Sequence, residues 1–165
     1  MSPGELHRFA PSSGGLGATA ALVLFVLVLR RLLPADRREV VATMHAVEQR
    51  LWVQTPIGGL ARYENDYYYR RSDDFEHVAG NPWPICTLWL ALWKIATAST
   101  PADLERARGL IELVAERALP SGVLAEQFDP YNGAPLSVSP LTWSHATFVE
   151  TALAYGEKAR GLRRP

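Results

Sequence analysis

Apolar residues along the chain gather into five runs at helical spacing, and the runs alternate in kind. Residues 16–33 are apolar all round, with Leu22 to Leu29 uninterrupted, which predicts a helix buried on every side. Residues 36–53 place Val40, Val41, Met44, Val47, Leu51 and Trp52 on one face, opposite Arg37, Arg38, His45, Glu48 and Gln49, the pattern of an outer helix. Residues 82–99 are again apolar nearly all round, and 101–118 are again amphipathic. Residues 140–158, with Leu141, Trp143, Ala146, Phe148, Val149, Ala152 and Leu153, predict a third inner helix. Expected caps are Asp36 with Glu39 as a capping box, Asn81-Pro82, Thr100-Pro101 and Ser139-Pro140.

The connections alternate too. Residues 34–35 and 100 are tight turns, while 54–81 and 119–139 are long, Pro- and Gly-broken loops at the other end. Long loops collected at one end of a compact domain carry function more often than not. No strand-like alternation of useful length appears. The expected fold is all-α, an arc of a double-layered α/α barrel with its chemistry on one rim. An antiparallel bundle competes, but would not need wholly apolar helices alternating with amphipathic ones.

Composition narrows the function. The 165 residues suffice for one domain. Formal net charge is zero, from 17 basic and 17 acidic residues, which argues against a nucleic-acid partner. The single cysteine, Cys86, rules out an internal disulfide or cysteine cluster, and the four histidines show no ligand spacing. No metal and no cofactor is expected. The run 16–33 is marginal as a membrane span and lacks the basic start of a signal peptide, so a core helix in a cytoplasmic protein is expected over an anchor. Residues 1–15 read as a leader, 16–160 as the domain and 161–165 as a tail.

Each long loop, with the inner helix after it, brings polar and aromatic groups to the same rim. The first supplies Arg62, Asp66, Tyr67, Asn81 and Trp83; the second supplies Glu126, Gln127 and Trp143. Forked donors and acceptors suit pairs of hydroxyls, and flat aromatic faces suit a sugar ring. The plainer alternative, that these aromatics pack the loops onto the rim, holds for about half of them. Glu126, beside the apolar run Val123-Leu124-Ala125, is the candidate acid or base; most isolated glutamates are simply solvated.

Three ordered blocks carry a family resemblance over residues 16–155. They are Gly59-Leu60-Ala61-Arg62-Tyr63 with Asp66 and Tyr68; Gly80-Asn81-Pro82-Trp83 with Cys86-Thr87-Leu88; and Leu124-Ala125-Glu126-Gln127 followed by Pro140-Leu141-Thr142-Trp143-Ser144-His145-Ala146. Together they resemble the C-terminal part of glycoside hydrolase family 15, the glucoamylase family. The resemblance implies an (α/α)6 barrel of which this chain supplies the last five helices. It implies a general-base role for Glu126, contact of Arg62 with sugar hydroxyls, Asp66 beside it, and Trp83 and Trp143 as pocket walls. It also implies an inverting reaction, whose two carboxyl groups stand roughly 6.5–9.5 Å apart.

The family's Trp-Glu-Glu-type block, which carries its general acid, has no counterpart here, nor has its early Arg-Asp block. The chain therefore reads as the C-terminal portion of a glycosidase for α-linked glucosides, either α-glucan or trehalose, inactive alone and expected to need a complementing N-terminal half. A non-catalytic carbohydrate-binding or regulatory remnant of the same fold is the alternative, and a membrane-anchored protein the third reading.

Overall fold

The computed structural model describes residues 33–163. The expected inner helix over 16–33 lies outside the described residues. Four helices follow in order: α1 (Arg38–Leu51), α2 (Pro84–Thr97), α3 (Pro101–Ala115) and α4 (Thr142–Leu162). A two-residue hairpin, β1 (Gln127–Phe128) with β2 (Pro135–Leu136), lies between α3 and α4, with Gln127 opposite Leu136 and Phe128 opposite Pro135. No helix among the described residues is long and apolar enough to cross a membrane.

The inner–outer alternation holds for the first three. In α2, eleven of fourteen residues are buried, Leu88, Leu90 and Ala91 completely. Each large apolar side chain so placed contributes about 1.5–3 kcal/mol, which makes α2 the axis of the fold. The helix α1 buries only Val40, Met44 and Leu51, and α3 only Leu104, Ala107, Leu110 and Val114, each on a single face. Both α3 and α4 pack against α2. A separate apolar cluster of Leu88, Val114, Leu124 and Phe128 seats the second long loop on α2 and α3.

Three expected caps are corrected. A turn closed by Arg37 N–H to Pro34 O draws Asp36 in, so Arg37 caps α1 and its guanidinium pairs with Glu39 at 3.0 Å. Asn81 is taken by the loops, so Trp83 precedes α2 and Pro84 fills its first position. Before α4 the cap is Leu141, whose N–H goes to Leu124 O; the Ser139-Pro140 bond is cis and lies outside the helix. The Thr100 cap is present as a full capping box with Asp103.

The last helix differs most. It was expected to bury its apolar side chains, yet it buries Ser144, Thr147, Thr151 and Ala159, and runs on to Leu162. Trp143, Val149 and Leu153 are more than half exposed. Small side chains let α4 approach its neighbours closely; Phe148, Tyr155 and Leu162 lie partly buried against the core, while Val149 and Leu153 stand exposed.

Candidate active site

The first long loop is bound to the barrel by backbone pairs. Val53 N–H donates to Gly59 O, Ala61 N–H to Leu51 O and Trp83 N–H to Leu60 O, all within 2.9 Å. Thr87 on α2 receives Leu60 N–H on its hydroxyl and donates that hydroxyl to Trp83 O. The frame fixes Arg62. Its Nε and one terminal nitrogen donate to the two oxygens of Asp66, both at 3.0 Å, and a terminal nitrogen also reaches Tyr63 OH at 3.1 Å.

The Arg62 guanidinium lies 4.4 Å from the Trp83 ring centroid, 4.7 Å from Tyr63 and 5.4 Å from Tyr68, a box of cation–π contacts. Burial works against its charge, but the Asp66 hydrogen bonds and charge outweigh burial and hold it above its ordinary value. Asp66 is buried and also accepts Tyr68 N–H at 3.1 Å, so it reaches the rim through Arg62. Trp83 is 3% exposed and forms the floor under the guanidinium, whereas Trp143 is 53% exposed, with its ring 5.5 Å from Trp89 on α2. Cys86 is buried behind this group, and burial pushes its thiol up to about 12, which removes it from chemistry at neutral pH.

The second loop carries Glu126. Its N–H donates to Val138 O at 2.8 Å, and its half-buried carboxylate accepts the Ser137 hydroxyl. Ser137 Oγ also lies 3.4 Å from Tyr68 OH. Ser137 has φ +62°, a left-handed conformation that costs a residue with a Cβ roughly 1–2 kcal/mol. Gln127 and Asn81, expected on the rim, are instead buried and joined, Asn81 Nδ2 donating to Gln127 Oε1 at 2.8 Å and to Tyr69 O at 2.8 Å. Ser72 and Tyr131 hydroxyls make a further bridge between the loops.

Arg62 and Glu126 are thus joined through Tyr68 and Ser137 on one rim. Sequence reasoning passed over Ser137, whose partner lies eleven residues away with no motif to mark it. Tyr67 stands away from this group, 73% exposed, its ring against Phe75. Among the described residues no group of three His, Cys, Asp or Glu is placed to hold a metal.

The layered helices, with both long loops on one rim, form part of an (α/α)6 barrel. A bacterial glucoamylase solved in complex with acarbose superposes on 86% of this chain and 20% of its own, with a TM-score of 0.69 at 25% identity. The model for glycosyl hydrolases family 15 matches residues 20–153, and the chain belongs to that family. It is 30% identical over 153 residues to an uncharacterized glycosyl hydrolase of Methanocaldococcus jannaschii, covering 87% of this chain and 23% of that protein. It is 31% identical over 133 residues to a glucoamylase of Neurospora crassa, covering 56% of this chain and 20% of that protein. The chain therefore spans less than a quarter of the length of these curated relatives.

Proposed function

We propose that the chain is the C-terminal part of an inverting glycoside hydrolase for α-linked glucosides, an α-glucan or trehalose. In this reading Glu126 is the general base, Arg62 grips sugar hydroxyls, and Trp83 and Trp143 wall the pocket. Asp66 serves the sugar by aiming Arg62. The observation that carries the reading is the single run of contacts from Arg62 through Tyr68 and Ser137 to Glu126. It sets a carboxylate and a guanidinium on the same rim.

The chemistry follows from the groups. Glu126 takes a proton from a water molecule as that water's oxygen bonds to the anomeric carbon; the glycosidic bond breaks, and its oxygen leaves with a proton from a second carboxylic acid. This chain has no counterpart of the family's acid block, so that acid belongs to a complementing N-terminal half. The apolar side of α4, with Val149 and Leu153 bare, is the surface we assign to it. The missing acid block also favours one competing reading, a carbohydrate-binding remnant without turnover.

The test is glucose release from maltotetraose and from trehalose by the purified chain, with saturation-transfer NMR to detect bound sugar. Sugar contact that is lost in Arg62→Ala, without glucose release, is the expected result. Release that survives Glu126→Gln contradicts the base assignment, and release that depends on Glu126 contradicts the half-site.

A further inference from the structure

We propose that His145 is a positioning residue for Glu126, acting through the backbone of the loop that carries it; this rests on the reading of Glu126 as the base. His145 lies in the first turn of α4, and its ring reaches back over that turn to the loop. Leu124 N–H donates to His145 Nε2 at 3.1 Å. The two neighbouring carbonyls are held by the same helix end: Leu124 O accepts Leu141 N–H at 3.0 Å, and Ala125 O accepts the Ser144 hydroxyl at 2.8 Å. Leu124 and Ala125 are both buried. The residue that follows, Glu126, is thereby delivered to the rim from a backbone fixed on three groups.

The His145 contact differs in kind from the other two. Leu124 N–H needs a lone pair on Nε2, so the ring must be neutral with its hydrogen on Nδ1. Neither a phenyl ring nor an Nε2-protonated imidazole can replace it, whereas the side-chain carbonyl of glutamine can. A histidine that merely filled space would be indifferent to all of this.

The experiment is 15N NMR of the full chain, with amide hydrogen exchange. The ring nitrogens of His145 are expected to show the hydrogen on Nδ1 at neutral pH. In His145→Phe, exchange at Leu124 and Glu126 is expected to rise tenfold or more, while amides in the middle of α2 stay as they were. In His145→Gln, Leu124 is expected to return to within about threefold of the parent. A hydrogen found on Nε2 overturns the proposal, as do unchanged Leu124 and Glu126 amides in the Phe variant. If the Phe variant fails to fold, the tautomer and the Gln variant decide the matter alone. Exchange reads the loop whether or not glucose is released, so a failure here leaves the Glu126 base assignment standing, and a failure of that assignment leaves these amides unaltered.

Discussion

Gly80 is the position where a single methyl group tests the Arg62 cradle. A Cβ there would lie 2.8 Å from Asp66 Cβ, 3.5 Å from Ala61 Cβ and 3.6 Å from Tyr63 O. Ordinary carbon contacts need about 3.5–4.0 Å, so Asp66 must retreat by about 1 Å. Asp66 is 1% exposed and has nowhere open to go. The two 3.0 Å bonds to Arg62 would then stretch beyond hydrogen-bonding range. Gly80 does not have a positive φ, so the penalty is contact and not backbone strain. Overpacking of this kind costs about 1–3 kcal/mol. Gly109 is the matched control: it lies within α3, and a Cβ there meets nothing within 4 Å. Gly109→Ala should stabilise by about 0.5–1 kcal/mol. Urea unfolding followed by tryptophan fluorescence would place Gly80→Ala below the parent and Gly109→Ala above it. A Gly80→Ala chain as stable as the parent would refute the close packing of Asp66 against the loop.

Three further outcomes follow from other contacts. Ser137→Gly removes the left-handed strain and Ser137→Ala keeps it, so the glycine variant should melt in urea as the more stable by about 1 kcal/mol, although both lose the bond to Glu126. Asp103 is held below its ordinary value chiefly by the N–H of Ser99, then by that of Thr100. Its stabilisation is complete above the ordinary carboxylate value and is lost as pH falls through the depressed one. The stability gap between the parent and Asp103→Asn, measured in urea, should therefore close on acidification from neutral pH. Leu153→Glu should leave the free energy of unfolding in urea within about 0.5 kcal/mol of the parent and lower self-association in light scattering, since Leu153 is 65% exposed on α4.

The helix pattern was legible because periodicity records which faces are buried in the finished barrel. The inner character of α2 and the outer faces of α1 and α3 came directly from it. So did the placement of both long loops on one rim, and the three family blocks pointed to Arg62 and Glu126. The caps were less legible because each capping side chain has competing partners that only folding brings near. Asn81 is drawn to Tyr69 and Gln127, 12 and 46 residues away, and Asp36 is absorbed by a turn. The face of α4 was misread for a related reason. Its fully buried positions are Ser144, Thr147, Thr151 and Ala159, three of which a hydropathy pattern counts as polar, while Trp143, Val149 and Leu153 are more than half exposed. The Ser137 contacts with Glu126 and Tyr68 and the Leu124 N–H bond to His145 join residues far apart in the chain, and hydrophobic periodicity does not record them.

The most direct test of the central claim is the anomeric form of the glucose first released from maltotetraose by the polypeptide encoded from upstream of Met1 through Pro165, followed by 1H NMR. The account predicts an upstream carboxylate block of the Trp-Glu-Glu type, release of the β-anomer, and loss of release in Glu126→Gln. Release of the α-anomer, or release that persists in Glu126→Gln, would contradict it. So would upstream sequence with no second carboxylate block.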